Sequence, residues 1–384
     1  MSSESAVKVL LAALGCTVAL LAGCSAPASI SGACVPDELA YVGADGQPMQ
    51  ALRVDTCTGK LSALGPVAQV PKSRWILPHP MLDIVYVAVD AGPDEGSVAA
   101  YAVQRETGAL TRLNAVPAGG TGTTHLWLDR PSMTLLASNF SSGTVTSIPV
   151  RADGRLGAPV STMKDVGSGP HRRQASAHAH SATVDPSGRY ALVADLGADR
   201  VFAYEFHRTK QALSGDAAPD RAFVTPAGSG PRRAVFGPSG RSVYVLSELT
   251  AELLSLRWDP AQARLSGARV QPVSSAQFQG SRSASEMALG PDGRFLYVAD
   301  RGENQLVVYR IDPVSGELGM VQRVASGGDG LWNFDIHPSG RWLLAAHYRS
   351  NSVNLLRIDP ATGQLTPTGQ ALDTPAPVSV AFIR

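Results

Sequence analysis

A turn motif that recurs along the chain constrains the fold more than any other feature of the sequence. Successive prolines of this motif are 47 to 55 residues apart, a period that suits one four-stranded propeller blade with its loops. Proline fixes φ and glycine supplies the positive φ that a tight reversal needs. The motif, Pro-x-Gly-Arg, has four intact copies and two degenerate ones: Pro186–Arg189, Pro238–Arg241, Pro291–Arg294, Pro338–Arg341, and the segments that begin at Pro80 and Pro131.

Each repeat has the same order of predicted strands. One alternating strand precedes the turn, as in Ser181–Asp185, and two β-rich strands follow it, as in Tyr190–Ala194 and Arg200–Phe206. A second turn, often Thr/Ser-Gly-x-Leu, closes the unit, and seven such turns can be placed, at residues 58–59, 107–108, 153–154, 214–215, 265–267, 315–316 and 362–363. No stretch has a sustained helical period. The sequence therefore predicts an all-β, seven-bladed propeller of four-stranded blades over residues 38–384; a series of separate β-sandwiches is the structural alternative.

The two ends of this region complement each other. Tyr41–Gly43 matches the second strand of a repeat, with no first strand before it, and Pro377–Ile383 matches a first strand, with no second strand after it. We predict that the C-terminal strand joins the N-terminal blade, because closing the ring in this way removes two exposed sheet edges.

The first residues have the features of an export signal. The apolar run Val9–Ala22 is too short for a stable membrane span and suits the core of a signal peptide. Leu21-Ala-Gly-Cys24 resembles the lipobox of bacterial lipoproteins, although an ordinary signal peptide would also fit. We expect residues 1–23 to be a signal peptide, residues 24–37 a tether, and Cys24 the lipidated residue that anchors a periplasmic or cell-surface protein to a membrane.

The composition of the chain argues against several classes of partner. The 33 basic and 32 acidic residues show no charged block, which argues against nucleic acid. No His or Cys cluster has zinc spacing, so we expect no metal or cofactor, and we expect a monomer. Cys34 and Cys57 either pair in an oxidising compartment or remain small core residues, and the sequence leaves both open.

Polar residues recur at equivalent positions of the predicted hairpins. Residues equidistant from a hairpin turn face each other, so both sets below should lie on one face of the disc, the first around the central channel. Six residues before each repeat proline stand Arg74, His125, His180, Arg232, Ser285 and Trp332. Nine or ten residues after it stand Asp90, Phe140, Asp195, Ser247, Glu248, Asp300, Arg301, His347 and Tyr348. Any one pair, such as Arg232–Glu248, fits a structural ion pair as well as a functional one. For the whole ring a site is favoured, because cationic groups that converge on one mouth repel each other unless an anion or water is held there.

Several segments resemble the seven-bladed lactonase family, which includes propeller-type 6-phosphogluconolactonases and fungal 3-carboxy-cis,cis-muconate cyclases. The resemblance covers residues 38–384 and is carried by Ala137–Val145, Gly167–His180, Ala194–Val201, Gly230–Arg233, Ser247–Leu249, Ser285–Met287 and Ala299–Asn304. It implies a catalytic set of His180, Arg232, Glu248 and Arg301. Arg233 stands where the family has His, and Leu331-Trp-Asn-Phe334 replaces its usual Pro-Arg-Asn-Phe, which puts the substrate in doubt but not the fold.

The resemblance implies a hydrolase that opens a sugar-acid lactone. Glu248 or His180 would take a proton from water, and one of Arg232 and Arg301 would stabilise the oxyanion while the other holds a substrate carboxylate or phosphate. In the reverse direction, the same groups would catalyse the cyclisation of a carboxylate onto an alkene. His125, Asp195, Trp332 and His347 are the predicted substrate-binding residues, with Asp195 orienting His180 and Trp332 either stacking on a ring or plugging the channel.

Two further considerations shape the functional hypothesis. No nucleophile motif of the Gly-x-Ser-x-Gly type is present, which disfavours covalent catalysis. An export signal argues against a cytosolic phosphogluconolactone, so we expect an extracytoplasmic lactone. The alternative is a non-enzymatic propeller that binds a cell-envelope ligand; such a platform would tolerate His180 and Glu248 far apart, whereas a catalytic site would not.

Overall fold

A computed structural model describes Cys34, residues 37–215 and residues 221–383. The predicted signal peptide and the lipobox residue Cys24 lie outside these residues, as does most of the predicted tether. The described part of the chain contains no helix that is long and apolar enough to cross a membrane.

The described residues form seven four-stranded β-sheets, six of them built from four strands that follow one another along the chain, and one further short strand, β16 (Phe223–Val224), that pairs with β14 (Arg200–His207). In chain order the strands are β1 (Glu38–Ala44), β2 (Met49–Asp55), β3 (Lys60–Ala68), β4 (Ser73–Pro78), β5 (Ile84–Val89), β6 (Ser97–Val103), β7 (Leu110–Pro117), β8 (Thr123–Asp129), β9 (Thr134–Asn139), β10 (Thr144–Pro149), β11 (Ser161–Lys164), β12 (Ala179–Val184), β13 (Tyr190–Asp195), β14 (Arg200–His207), β15 (Ala212–Ser214), β16 (Phe223–Val224), β17 (Pro231–Phe236), β18 (Ser242–Ser247), β19 (Glu252–Asp259), β20 (Arg264–Pro272), β21 (Ala284–Leu289), β22 (Phe295–Asp300), β23 (Gln305–Ile311), β24 (Leu318–Ala325), β25 (Leu331–Ile336), β26 (Trp342–His347), β27 (Ser352–Ile358), β28 (Leu365–Asp373) and β29 (Pro377–Phe382). The fold is therefore the predicted seven-bladed propeller.

The C-terminal strand closes the ring. Strand β29 is antiparallel to β1, with Tyr41 opposite Ala381 and Val42 opposite Val380, and it is the innermost strand of the blade that β1, β2 and β3 complete. The predicted closure is confirmed, and the alternative of separate sandwiches is wrong.

Neighbouring blades are joined by a repeated tyrosine contact. The second strand of four blades carries a buried tyrosine whose hydroxyl donates to a glycine carbonyl in an outer turn of the next blade: Tyr41 to Gly108, Tyr86 to Gly154, Tyr244 to Gly316 and Tyr297 to Gly363. All four glycines have φ between 73° and 78°, a conformation that disfavours other residues. This explains why the second-turn motif recurs: its glycine shapes the turn and presents the acceptor to the adjacent blade.

A β-bulge near the start of each innermost strand positions side chains over the channel. At the bulge the pairing register shifts, so one residue of the inner strand, or two in β21, has no partner on the second strand. Around the ring the bulged positions are Arg74, Thr124, His180, Arg232, Ser285–Glu286, Trp332 and Val378. Bulges re-aim side chains, and this ring of them forms the wall of the cavity described below.

A disulfide joins Cys34 to Cys57, which lies in the turn between β2 and β3. The end of the predicted tether is thus covalently attached to the first blade. Of the two possibilities that the sequence left open, the structure has the disulfide.

Candidate active site

A cavity of about 1100 Å³ lies at the end of the channel where the innermost strands begin. The bulged residues form its wall, and residues 171–173 and 278–283, from two loops between blades, contribute to its rim. Its charge is strongly unbalanced, because eight arginines line it against the four carboxylates of Asp45, Asp90, Glu248 and Glu286. The arginines are Arg74, Arg172, Arg173, Arg232, Arg233, Arg282, Arg301 and Arg349.

Glu248 is the centre of this charge cluster, and its side chain is only 2 % exposed. Its Oε1 accepts hydrogen bonds from Arg173 Nη1 at 2.6 Å and Arg301 Nη2 at 2.9 Å. Its Oε2 accepts from Arg232 Nη1 at 2.7 Å and lies 3.7 Å from His180 Nε2. Groups from four separate segments of the chain thus meet on one carboxylate, which is the assembly that a catalytic site requires and a binding platform does not.

The electrostatics of the cluster fix the charge of each group. Burial alone would raise the pKa of the Glu248 carboxyl, but Arg301, Arg232 and Arg173 together hold that pKa well below its usual range. Burial lowers the pKa of Arg232 to about 10, which leaves the guanidinium protonated at neutral pH. Glu248 is therefore an ionised but weakly basic carboxylate in this arrangement.

His180 is neutral. Burial and the Arg232 guanidinium hold the pKa of the imidazole well below its usual value. Arg232 Nη1 contacts His180 Nε2, and the ring packs edge-on against Phe140, with 5.5 Å between centroids. Since Arg232 can only donate, Nε2 is the acceptor and Nδ1 carries the proton; Nδ1 is buried without a partner among the described residues.

Arg301 is held by contacts on several sides. Its Nε and Nη2 donate to Ser283 Oγ at 3.1 and 2.8 Å, and Nη2 also reaches Glu248. Its guanidinium lies 4.7 Å from the centroid of the Trp332 ring, and Tyr348 packs against the same indole. Trp332 therefore lines the cavity and supports Arg301 by a cation–π contact.

The floor of the cavity is a second buried ion pair. Arg233 Nε and Nη2 bind the two oxygens of Glu286 at 2.6 Å each, Asn333 donates to the same carboxylate at 3.0 Å, and the Arg233 guanidinium lies 4.2 Å from the centroid of Trp75. A second cavity of about 550 Å³, towards the other end of the channel, shares Trp75, Arg233 and Glu286 with the first. Arg233, which departs from the family pattern, thus forms part of the layer that separates the two cavities.

The structure brings His180, Arg232, Glu248, Arg301 and Trp332 to the cavity but not His125. The imidazole of His125 packs on Trp75 at 4.7 Å and lines the second cavity. Counting from Pro131 misplaced it, because β8 has seven residues whereas the other innermost strands that precede a repeat proline have six; the bulged residue, second in the strand, is therefore Thr124.

Asp195 and His347 also lie away from the cavity, so the predicted orientation of His180 by Asp195 is not formed. Asp195 pairs with Ala179 rather than with the bulged His180, and its carboxylate accepts from the backbone of His178 and Ala198 at 2.8 and 2.7 Å. His347 is fully buried, and its Nε2 bonds Ser326 Oγ at 2.8 Å. Hairpin counting ignored the bulge, which offsets the inner strand from its partner by one residue. Glu248 and Arg301 reach the site because each lies one residue beyond the end of its strand.

Hairpin counting also missed Arg173. This residue lies in the loop between β11 and β12, where no strand register can be counted, and the only signal was its place in the Gly167–His180 segment that carries the family resemblance. No group of three or more His, Cys, Asp or Glu side chains in the described ranges could hold a metal ion.

Fold and site together define a seven-bladed propeller with a buried, arginine-bound carboxylate at one mouth of its channel. The family model described as "Lactonase, 7-bladed beta-propeller" matches residues 39–382. The chain therefore belongs to the seven-bladed β-propeller lactonase family, which confirms the resemblance in the sequence.

Named relatives fit this placement. A 6-phosphogluconolactonase of Bacillus subtilis is 30% identical over 289 residues, which cover 75% of this chain and 81% of the relative. A 6-phosphogluconolactonase of Formosa agariphila is 27% identical over 298 residues, 76% of this chain and 82% of the relative. The solved structure of the periplasmic gluconolactonase of Pseudomonas aeruginosa superposes with a TM-score of 0.82 at 29% identity, covering 90% of this chain and 99% of that one.

Proposed function

We propose that this protein hydrolyses a sugar-acid lactone that carries an anionic group, at the cavity around Glu248. The observation that carries the proposal is the convergence of Arg173, Arg232, Arg301 and His180 on one buried carboxylate in a member of the lactonase family. An arginine excess of this size suits a substrate with a phosphate or carboxylate, which arginine recognises with two parallel hydrogen bonds.

In the proposed reaction Glu248 is the general base. It accepts one proton from a water molecule as the water oxygen bonds to the lactone carbonyl carbon. The carbonyl oxygen becomes an oxyanion, which Arg232 stabilises because its guanidinium is buried, charged and held in place by the Ser285 carbonyl. When the oxyanion collapses, the ring C–O bond breaks and the departing alkoxide takes the proton from Glu248, so the product is the open hydroxy acid and the base is restored.

His180 is better suited to positioning than to proton transfer in this scheme. Its Nε2 already accepts from Arg232, and a protonated imidazole beside that guanidinium would be strongly unfavourable. A neutral imidazole keeps Arg232 oriented without adding a positive charge. Arg301 is then free of the oxyanion role and can hold a substrate carboxylate or phosphate together with Ser283.

The test is a panel of neutral and anionic sugar lactones with purified mature protein and its Glu248→Gln variant. Loss of the base should lower kcat by about 10²- to 10⁴-fold, with the circular dichroism spectrum and the unfolding midpoint measured alongside. Glu252→Gln, in the same blade but outside the cavity, is the matched control and should retain wild-type turnover. Turnover that survives Glu248→Gln would remove this residue from the mechanism, and a wild-type protein inactive on every lactone would favour the binding-platform alternative. Product analysis separates ring opening from the reverse cyclisation.

We also propose that the enzyme works outside the cytoplasm, anchored through a lipid on Cys24. The signal-like segment and lipobox support this, as does the disulfide, because such bonds persist in oxidising compartments. Similarity to a protein titled a periplasmic gluconolactonase points the same way. Mass spectrometry of the mature N-terminus should find a lipid-modified Cys24; an unmodified terminus at another residue would contradict the anchor.

A further inference from the structure

Arg173 differs from the other groups that bind Glu248. The side chains of Arg232, Arg301 and His180 are 7, 12 and 6 % exposed, whereas that of Arg173 is 40 % exposed. The first three groups are attached at or next to β-strands, and Arg173 alone belongs to a loop between blades. Among the described residues, the only hydrogen bond of its side chain is the one to Glu248 Oε1. It is thus the one partner of Glu248 that can move into the cavity without breaking other contacts.

The loop itself is firmly held. Gln174 is fully buried, and its amide nitrogen donates to the Leu196 carbonyl at 2.8 Å and to Asp199 at 2.6 Å. Its side-chain oxygen accepts from the backbone of His171 at 3.0 Å. The backbone on both sides of Arg173 is therefore anchored, so motion is confined to the side chain.

The contact has a cost for catalysis. Arg173 and Arg301 both donate to Oε1, while Oε2 accepts from Arg232 and lies against the His180 ring, 3.7 Å from Nε2, so no oxygen of the proposed base is open to a water molecule. A general base must come within hydrogen-bond reach of the proton it removes. At least one of the four groups has to leave, and Arg173 is the least restrained.

We propose that Arg173 is a specificity-determining residue that exchanges its bond to Glu248 for a bond to the anionic group of the substrate, and that this exchange exposes Oε1 to the attacking water. This inference rests on the proposed lactone hydrolysis. Phosphate and carboxylate share the chemistry that matters here, a compact anion that accepts two hydrogen bonds from a guanidinium. A neutral lactone offers Arg173 no such partner and leaves the base covered.

The test is the pair of variants Arg173→Gln and Arg172→Gln, assayed on a neutral sugar lactone and on its phosphorylated counterpart. Arg172 precedes Arg173 in the same loop, is exposed and lines the cavity, but its side chain has no hydrogen bond or ion pair among the described residues. The substitution Arg172→Gln therefore removes the same charge as Arg173→Gln without changing a contact of Glu248. For Arg173→Gln we expect kcat/KM on the phosphorylated lactone to fall by about 10- to 100-fold, from the loss of one charge-assisted bond. On the neutral lactone we expect an increase, because the base is uncovered. Arg172→Gln leaves the base covered, so we expect no such increase for that variant.

The pH profile gives a second readout. Glu248 faces Arg173 from the loop, His180 from β12, Arg232 from β17 and Arg301 beyond β22, and His180 is neutral. Removing one of three cations raises the pKa of Glu248, and the base is active only when ionised. The acid limb of kcat/KM on the neutral lactone should therefore move to higher pH in Arg173→Gln and stay in place in Arg172→Gln.

The outcomes separate the two proposals. Equal losses on both lactones, or an acid limb that does not move, would overturn the role of Arg173 while leaving lactone hydrolysis intact. If the wild-type protein hydrolyses neither lactone, the proposed function fails, and titration with inorganic phosphate in a calorimeter then decides the anion-binding role by itself. Weaker phosphate binding in Arg173→Gln than in Arg172→Gln would support that role, and equal binding would overturn it.

Discussion

Glu286→Gln tests whether the buried pair under the cavity is an essential part of the fold. The side chains of Arg233 and Glu286 are 5 and 4 % exposed, and two N–O contacts of 2.6 Å join them. Glutamine keeps the shape and removes the charge, so Arg233 would be left as an unpaired buried cation. Removing one partner of a buried pair costs about 3–5 kcal/mol. Arg233 Nη1 already lacks a hydrogen-bond partner, and among the described residues Glu286 is the only carboxylate in an ion pair with Arg233.

That cost can be measured as a shift of the unfolding midpoint. With an unfolding entropy of about 2.1 cal/mol/K per residue over about 350 residues, each kcal/mol moves Tm by about 1.4 °C. We therefore expect Glu286→Gln to lower Tm by about 4–7 °C in scanning calorimetry. The exposed pair Arg269–Glu317, at 3.2 Å, gives the matched control, and Glu317→Gln should barely change Tm.

A double variant separates pairing from packing. Arg233→Met combined with Glu286→Leu removes both charges and should recover most of the lost stability, because buried pairs are often replaceable by apolar residues of similar volume. If Glu286→Gln melts with the wild-type protein, or the double variant is less stable than the single one, then the reasoning from an uncompensated charge is wrong.

Two other predictions concern features outside the cavity. Asp165 and Asp195 share a buried contact, and burial together with the Asp195 charge holds the pKa of Asp165 well above its ordinary value. The unfolded chain releases that proton near pH 4 while the folded chain keeps it, so stability falls as pH rises above this point. Asp165→Asn should therefore raise Tm at neutral pH and lose the advantage below about pH 4; a lower Tm at neutral pH would contradict the raised pKa of Asp165. The control Asp129→Asn removes the carboxylate charge that accepts two bonds from Arg208, and it should lower Tm at neutral pH. Replacing both Cys34 and Cys57 with serine opens a loop of 23 residues, which should cost about 3 kcal/mol and make Tm insensitive to reductant; an unchanged Tm would refute the loop argument.

The architecture was predictable because the sequence repeats the same turn motif from blade to blade. A tight turn needs proline and glycine at fixed places, and each blade repeats the need, so an error at Pro131 or Pro80 does not change the blade count. The pairing of β29 with β1 was predictable from the order of strands in each repeat, because the N-terminal repeat lacked a first strand and the C-terminal one lacked a second.

The site was predictable only as far as strand pairing determines it. Counting along hairpins put Glu248 and Arg301 at the right mouth, and it failed for Asp195 and His347 because a bulge displaces each inner strand by one residue. Nothing in a turn motif signals a bulge. Arg173 could not be predicted for a different reason: its position depends on the tertiary contacts of Gln174, which no local periodicity encodes.

The distribution of charge in the cavity follows from how the cost of an unpaired charge changes with depth in the channel. The whole chain carries a net charge of +1, yet the cavity has eight arginines against four carboxylates, so the excess is concentrated there. Deep in the channel an unpaired cation is prohibitively costly, and there Arg232 and Arg233 each have a carboxylate. At the rim water screens the charge, and Arg172 and Arg282 have no ion pair among the described residues. The carboxylates offset the charge of the paired inner arginines, which can then fix geometry, while the unpaired outer arginines raise the local concentration of anions at the mouth. Arg173 lies between these two layers, half-exposed and yet bound to the buried carboxylate, which is the position from which one side chain can respond to an anion and alter the base.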